Sequence, residues 1–225
     1  MIAGEGLQRG RLMIKYQMSR RTFAGAGLAS AGLLLSSSAR AFSEKVPTAE
    51  SALGPFYPLV RPADADADLT WVKGRDTRAL GQVIEISGRV FDVKGNPMPG
   101  ATLELWQANA AGRYDHPSDP ATAPLDPNFQ GYATLRADAK GEWRIVTIKP
   151  GGYDSPIGHR PPHIHFDFRS EKSRNIAQLY FPEEADGNAR DTLYKTLSAA
   201  EAATSLAVRD ANDPNKYTWD IVLLV

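Results

Sequence analysis

The 225-residue sequence contains no cysteine. This absence excludes disulfides, zinc–thiolate sites, iron–sulfur clusters and thiol catalysis, so a bound metal would need histidine, carboxylate or tyrosine ligands. Basic and acidic residues are equally numerous, at 26 each, and without an excess of positive charge no nucleic-acid partner is expected. No apolar run reaches the roughly 20 residues of a membrane-spanning helix, so no stable membrane span is expected after processing.

The stretch 1–41 has the features of an export signal. Arg20 and Arg21 form a twin-arginine pair, an apolar run follows over 24–35, and a small-x-small cleavage pattern ends at Ala41. Met18 is an alternative start of the protein, and an uncleaved anchor is an alternative interpretation of the run. We expect export by the twin-arginine route, to the periplasm or outside the cell. That route carries folded proteins, often after a cofactor has been loaded.

The remaining chain predicts an arm and one domain. Residues 42–81 are expected to form an extended arm, because Pro55 and Pro58 exclude regular helix. From Gln82 to the end, short β-branched runs alternate with turn signals, which predicts an all-β fold, a β-sandwich with long functional loops and one short helix. The predicted strands cover 83–93, 101–108, 129–135, 141–148, 163–169, 176–181 and 217–225, and the predicted helix covers 191–204.

Two histidines and two tyrosines carry the chemistry. His163 and His165 are two positions apart on a predicted strand, so their side chains point to one face and could bind a metal together. Taken alone, the pair is also compatible with ordinary buried histidines. Tyr114 and Tyr153 lie in the loops 109–128 and 149–162, and ordinary packing is the alternative for each of them. Phenols together with imidazoles suit ferric iron, because a trivalent cation stabilises the phenolate form.

Three motifs resemble the intradiol ring-cleavage dioxygenases, closest to the protocatechuate 3,4-dioxygenase type. They are LWQAN…GRY over 105–114, IKPGGY over 148–153 and RPPHIHF over 160–166. The resemblance implies a non-haem Fe(III) cofactor. Its four protein ligands would be Tyr114, Tyr153, His163 and His165.

The resemblance also implies a reaction. The substrates would be a catechol and O2, with both oxygen atoms inserted and the ring cleaved between the hydroxyl-bearing carbons to give a cis,cis-muconate. Tyr153 would leave the metal and accept a substrate proton, and Arg160 would stabilise negative charge on the substrate. Gln178 matches a family residue near the same region, whereas His116 and His159 match no ligand.

The sequence departs from the protocatechuate type after Tyr153. Asp154 and Ser155 stand where that type has a proline and an aromatic residue, so the identity of the catechol stays open. The protocatechuate type is built from two related subunits, and this chain is expected to form a homo-oligomer or to pair with such a subunit. Two alternatives remain: a secreted transthyretin-like β-sandwich binding module without catalysis, and an Fe(II) enzyme that uses Asp167 in a two-histidine, one-carboxylate site.

Overall fold

The computed structural model describes residues 44–225, and the predicted export signal lies outside this part of the chain. Within it, no helix is both long enough and apolar enough to cross a bilayer. The strands are β1 (Val83–Asp92), β2 (Thr102–Trp106), β3 (Tyr132–Arg136), β4 (Glu142–Ile148), β5 (Tyr153–Ser155), β6 (Gly158–Arg160), β7 (His163–Arg169), β8 (Arg174–Tyr180), β9 (Val208–Arg209), β10 (Lys216–Thr218) and β11 (Ile221–Leu223). The α-helices are α1 (Ala185–Arg190) and α2 (Ala199–Ser205).

The strands form two main sheets and a hairpin. In the first sheet, β1 pairs antiparallel with β4 on one edge and parallel with β10 and β11 on the other, while β9 extends β10. The second sheet is antiparallel throughout, in the order β3–β2–β7–β8. Strands β5 and β6 form a separate two-stranded hairpin. The inner faces of the two main sheets share one apolar core, so the predicted β-sandwich is confirmed.

Strand β7 shows how the sandwich positions the candidate site. Ile164, Phe166 and Phe168 alternate along the strand and are completely buried in the core between the sheets. By the same alternation, His163 and His165 lie on the outer face of the second sheet. They are nevertheless buried, with 1% and 2% of their surface exposed, so another part of the chain must cover that face.

The arm at the start of the described chain provides this cover. Residues 44–82 form no helix or strand, and the part around 51–57 crosses the outer face of the second sheet. The backbone N–H of Ser51 donates to the carbonyl of Ile176 on β8 at 2.7 Å. Further along, the Tyr57 hydroxyl donates to Glu104 on β2 at 2.6 Å. The arm thereby converts an exposed sheet face into an enclosed one.

Three local predictions need correction. The helix predicted over 191–204 begins only at Ala199, because Ser198 and Glu201 form a capping box there. The strand predicted over 217–225 is divided into β10 and β11. The segment 149–162 was predicted to be a loop, but it contains the hairpin of β5 and β6.

Candidate metal centre

Glycines allow the two tyrosine-bearing loops to touch. Tyr114 ends the turn that follows β2, and Tyr153 begins β5. Gly112 has a positive φ of 76°, and a Cβ atom built on it would lie only 2.2 Å from the carbonyl oxygen of Gly152. Any larger residue would therefore push the loops apart. This contact explains Gly112, and a Cβ atom on Gly151 of the other loop would likewise lie only 2.5 Å from the carbonyl oxygen of Ala110.

The four predicted ligands form one cluster of rings. The centroids of Tyr114 and Tyr153 lie 5.4 Å apart, with the rings perpendicular, and those of His163 and His165 lie 5.0 Å apart. Between the pairs, Tyr153 is 5.5 Å from His163, and Tyr114 is 6.3 Å from His165. The structure thus brings together side chains that are up to 51 positions apart in the printed sequence.

Only some polar atoms of this cluster have hydrogen-bond partners. Nδ1 of His163 lies 2.7 Å from the carbonyl oxygen of Pro161. A carbonyl can only accept, so Nδ1 carries the hydrogen and Nε2 keeps its lone pair, 3.3 Å from the hydroxyl of Tyr153. Within residues 44–225, the buried hydroxyl of Tyr114 and Nδ1 of His165 have no hydrogen-bond partner. Buried polar atoms are rarely left in this condition.

Burial sets the protonation states of the cluster. It lowers the pKa of His163 to about 3, with a further contribution from the positive charge of Arg160, and it lowers the pKa of His165 well below the usual value. Both imidazoles are therefore neutral at neutral pH, which is the state that binds a metal. Burial also raises the pKa of Tyr114 and Tyr153, so ionising these phenols requires a nearby cation.

Arg160 belongs to a buried network beside the ring cluster. Only 4% of its surface is exposed, and its Nε donates to the carboxylate of Asp191. Its Nη2 donates to Oε1 of Gln178 at 2.6 Å and lies 3.0 Å from the hydroxyl of Tyr180. The predicted residues Arg160 and Gln178 are thus in direct contact, whereas sequence reasoning missed Asp191 and Tyr180.

Asp191 fixes the orientation of Arg160. It is fully buried, and its Oδ1 accepts the backbone N–H groups of Leu193 and Tyr194 at 3.0 and 2.8 Å. Burial alone would raise the pKa of Asp191, but the N–H group of Tyr194 and the charge of Arg160 hold it below the ordinary value. The aspartate is therefore ionised, and it neutralises the buried guanidinium.

Aromatic side chains and the arm close the cluster. The ring of Trp106 stacks on His165 at 5.0 Å, with an angle of 13° between the planes. Phe56 of the arm packs on Tyr114, with ring centroids 4.7 Å apart. A Cβ atom on Gly54 would lie 3.2 Å from Cε1 of His165. Residues of the arm and of the LWQAN motif thus both contribute to the walls of the site.

Asp167, the carboxylate of the two-histidine, one-carboxylate alternative, forms ion pairs with two arginines. Asp167 is fully buried and accepts hydrogen bonds from Arg169 at 2.6 Å and Arg174 at 2.7 Å. In the part of the chain that the structure describes, no group of three or more His, Cys, Asp or Glu side chains is arranged to hold a metal. Among residues 44–225, Asp167 therefore does not complete a two-histidine, one-carboxylate site with His163 and His165.

The hairpin of β5 and β6 places the residues that depart from the protocatechuate pattern. Asp154 lies 2.8 Å from the exposed ring of His159, so this histidine is outside the ring cluster. The Ser155 hydroxyl donates to the carbonyl of Gly158 at 2.8 Å and closes the turn. Tyr153 and Arg160 face each other at the base of the hairpin.

Comparison with known proteins gives consistent matches. A family model described as "Dioxygenase" matches residues 53–224. The chain is 44% identical over 133 residues to the protocatechuate 3,4-dioxygenase beta chain of Burkholderia cepacia, and the match covers 57% of each chain. It is 31% identical over 149 residues to the alpha chain from the same organism, covering 64% of this chain and 73% of the relative. It spans 54% of a hydroxyquinol 1,2-dioxygenase from Corynebacterium glutamicum, at 28% identity.

Solved structures agree with these matches. The dioxygenase domain of a dioxygenase–carbohydrate-binding protein fusion from Streptomyces sp. SirexAA-E has a TM-score of 0.60 and 27% identity, and the match covers 80% of this chain and 99% of that one. An intradiol ring-cleavage dioxygenase from Tetranychus urticae has a TM-score of 0.61 at 17% identity, covering 80% and 94%. At that identity the second likeness shows only a shared fold.

Proposed function

The chain belongs to the intradiol ring-cleavage dioxygenase family, and from this membership we propose that it is a non-haem Fe(III) dioxygenase. Its substrates would be O2 and a catechol-type aromatic, and the product would be a cis,cis-muconate formed by cleavage between the two hydroxyl-bearing carbons. The observation that carries the proposal is the hydroxyl of Tyr114, which is buried within the ring cluster without a partner among the described residues.

The residues present fit a ferric ion. Tyr114, Tyr153, His163 and His165 would supply two phenol oxygens and two neutral imidazole nitrogens, a donor set that favours iron(III) over softer metals. A ferric ion held there would stabilise the phenolates and would act as a Lewis acid and electron acceptor toward the hydroxyl oxygens of a catechol. Unpartnered atoms on Tyr114 and His165 support this assignment, because a ligand would satisfy otherwise costly buried polar groups.

Tyr153 is suited to accept a substrate proton. It is only half-buried, whereas Tyr114 is 3% exposed, so Tyr153 is the phenol that an incoming catechol can reach more readily. It lies opposite Arg160 across the hairpin, and the positive charge of that residue acts to lower its pKa against the effect of burial. We assign Tyr153 as the proton acceptor for one hydroxyl of the substrate.

Arg160 is suited to stabilise negative charge on the substrate. Its guanidinium is held rigidly by Asp191 and Gln178, so little reorganisation is needed when charge develops nearby. Gln178 uses its Oε1 for this contact, and its buried Nε2 has no partner among the described residues. We assign Nε2 of Gln178 as a donor to a substrate oxygen.

A cleft of about 340 Å³ lies on the side of Gln178 and Tyr180. It is lined by the arm residues 49–52, by Gln178 and Tyr180, and by Leu193, but by none of the four predicted ligands. The relatives are named for protocatechuate, hydroxyquinol and catechol, whose shared feature is two adjacent hydroxyl groups. We propose this class of substrate for the chain.

The same comparison supports a proposal on assembly. The relatives include both an alpha and a beta chain of protocatechuate 3,4-dioxygenase. We propose that this chain forms a homo-oligomer or pairs with a related subunit. Because its own arm already covers the ring cluster, we favour the homo-oligomer. Light scattering on the purified protein measures the mass directly.

The visible absorption spectrum of the purified protein tests the metal assignment. Ferric phenolate charge transfer should colour the protein red-brown, and catechol or protocatechuate added without oxygen should shift the band. Tyr114→Phe should lose the band and most of the activity. Tyr194→Phe is the matched control, because its ring packs on Tyr180 and lies outside the ring cluster, so the colour should remain.

The product tests the reaction itself. With ¹⁸O2, both labelled atoms should appear in one ring-opened dicarboxylic acid. A protein that stays colourless after reconstitution with iron would instead support the non-catalytic binding module. A labelled product that is cleaved beside the two hydroxyl-bearing carbons, rather than between them, would contradict the intradiol assignment.

A further inference from the structure

A second concave site lies over β2 and β3, at the opposite edge of the second sheet from Gln178 and Tyr180. It is a groove of about 310 Å³, here called the β2–β3 groove. Its floor includes Trp106, Tyr132 and Gln130, and the ring of Tyr114 forms one end. The apolar walls come from Phe56, Pro58, Leu59, Val60, Pro62 and Pro117.

The groove gathers buried polar atoms that lack partners. Within residues 44–225, no hydrogen bond is made by Nε1 of Trp106, Nε2 of His116, Oε1 of Gln130 or the hydroxyl of Tyr132. Trp106 and Tyr132 are each only 1% exposed, and Gln130 is 8% exposed. Such atoms are costly to bury unsatisfied. Their concentration around one concave surface indicates a site that takes a polar ligand.

The hydrogen-bonding character of these atoms can be assigned. Nδ1 of His116 accepts the backbone N–H of Ser118 at 3.1 Å, so in the neutral ring Nε2 carries the hydrogen and donates. The amide nitrogen of Gln130 is used in bonds to the arm, which leaves its oxygen as an acceptor. With the indole of Trp106 and the hydroxyl of Tyr132, the unpartnered atoms on the lining residues comprise three donors and one acceptor. They are buried behind the groove wall, so a ligand reaches them when the lining side chains turn.

Charge and shape narrow the class of ligand. No lysine or arginine is among the described residues that line the groove, and its only charged residue is Asp115. The nearby Arg61 is paired with Glu104, so an anion would find no free counter-charge and would meet the carboxylate of Asp115. Aromatic and aliphatic walls favour a flat apolar ring, and the three donors favour neutral oxygens on it. We propose that the β2–β3 groove binds a neutral phenolic ring bearing hydroxyl or methoxy oxygens, separately from the metal centre.

The groove is open to solvent without passage through the metal centre. Leu59 and Val60 are 74% and 83% exposed. The groove also shares Pro62, Asp115 and Gln130 with a larger depression of about 760 Å³. A ring in the groove could therefore carry a substituent that extends into the depression.

Two lining residues connect the groove with the metal centre. Tyr114 contributes its ring to the groove, while its hydroxyl belongs to the cluster of four predicted ligands. Trp106 lines the groove and stacks on His165. We expect a bound ring to change the fluorescence of Trp106 and to shift the visible band of the iron-loaded protein. The fluorescence change does not require iron.

Calorimetric titration with 2-methoxyphenol tests the proposal. This probe is neutral, and methylation prevents it from binding a metal as a catechol dianion. The titration is made without oxygen, on the purified full chain, with and without excess protocatechuate, whose carboxylate disfavours it in the groove. We expect binding in both cases, with an unchanged affinity. Tyr132→Phe should weaken it by roughly 5-fold, the loss of one hydrogen bond, and Val60→Glu should weaken it by at least about 10-fold.

Val208→Glu is the matched control, because Val208 is 67% exposed on β9 in the other sheet and its replacement should leave binding unchanged. Three results overturn the proposal: no binding, binding abolished by protocatechuate, and equal loss in both glutamate variants. A fourth is that the wild type is a dimer which Val60→Glu dissociates, since a second copy of the chain would then occupy the groove. If no catechol yields a ring-opened product while 2-methoxyphenol binds, the proposed ring cleavage is wrong but the groove site stands.

Discussion

At the scale of single residues, the four predicted ligands could be identified from the sequence. The aspartate that orients the neighbouring Arg160 could not. Tyr114, Tyr153, His163 and His165 stand in short motifs with unusual composition, so each can be identified from its neighbours in the chain. Asp191 has no such motif and lies 31 positions after Arg160. In the sequence it begins an apparently helical stretch, and only the fold shows that its carboxylate is buried against a guanidinium.

Removing the charge of Asp191 should reduce catalysis without removing the metal. In Asp191→Asn, Arg160 loses its counter-ion and part of its fixed orientation, and we expect kcat to fall by roughly 10- to 100-fold, as for other losses of aligned charge stabilisation. The visible band should remain, because Asp191 is not a predicted ligand. Steady-state kinetics and absorbance measure the two effects.

A matched variant separates positioning from general loss of stability. Asp186 is an exposed aspartate on the neighbouring helix α1, and Asp186→Asn should change neither kcat nor the band. Because breaking a buried ion pair costs about 3–5 kcal/mol, Asp191→Asn is also expected to lower the free energy of unfolding. If the fraction of folded protein explains the whole drop in activity, Asp191 is structural rather than positioning.

At the scale of elements, the contact between the tyrosine loops should depend on Gly112. Gly112→Ala places a Cβ atom 2.2 Å from a carbonyl oxygen and also forces alanine to a positive φ. Gly74→Ala has the same backbone problem, with φ 84°, but nothing lies within 4 Å of the added atom. Gly74→Ala should cost about 1 kcal/mol of unfolding free energy. Gly112→Ala should cost clearly more and should reduce iron binding.

Urea unfolding and the iron content per chain measure this difference. Equal losses in the two glycine variants would mean that φ alone requires glycine at Gly112 and that the loops can separate freely. Loss of stability in Gly112→Ala with full iron content would show that the contact supports the fold but does not align the tyrosines.

The elements themselves were predictable where local patterns decide them. The run that became β7 has a period of two and β-branched or aromatic residues, and its strand was predicted with the observed bounds. The start of α2 was misplaced, although the Ser198–Glu201 capping box marks it in the sequence. The parallel pairing of β1 with β10 and β11 joins segments more than 120 positions apart, and no local pattern specifies such a partner.

At the scale of the whole molecule, a partly exposed carboxylate bound by a lysine and a tyrosine should make stability depend on pH. Glu183 accepts hydrogen bonds from Lys149 and Tyr217, which lower its pKa even though burial would raise it. Its pKa is thus lower in the folded protein than in the unfolded chain, where it is about 4.3. Its contribution to stability is full above that value and is lost as pH falls through the folded pKa, because the unfolded chain binds the proton first.

Comparison of wild type with Glu183→Gln isolates this contribution. Urea unfolding of both proteins between pH 7 and pH 3 should show a constant difference above about pH 5, which shrinks at lower pH as the wild-type carboxyl group protonates. A difference that does not change with pH would show that the two hydrogen bonds, and not the charge of Glu183, provide the stabilisation.

The site also bears on how the protein would be exported. Its walls come from the arm, the loops before β3 and β5, and strands β7 and β8, so a metal can bind only once distant segments have folded together. A twin-arginine route would allow this, because it carries folded proteins. Replacing Arg20 and Arg21 with lysine should therefore leave the protein in the cytoplasm with its iron bound, as measured by cell fractionation and metal analysis.

The control variant replaces Arg9 and Arg11 with lysine. These residues precede Met18, so their replacement should not affect export. Unchanged export of the Arg20/Arg21 variant would mean that another signal directs the chain.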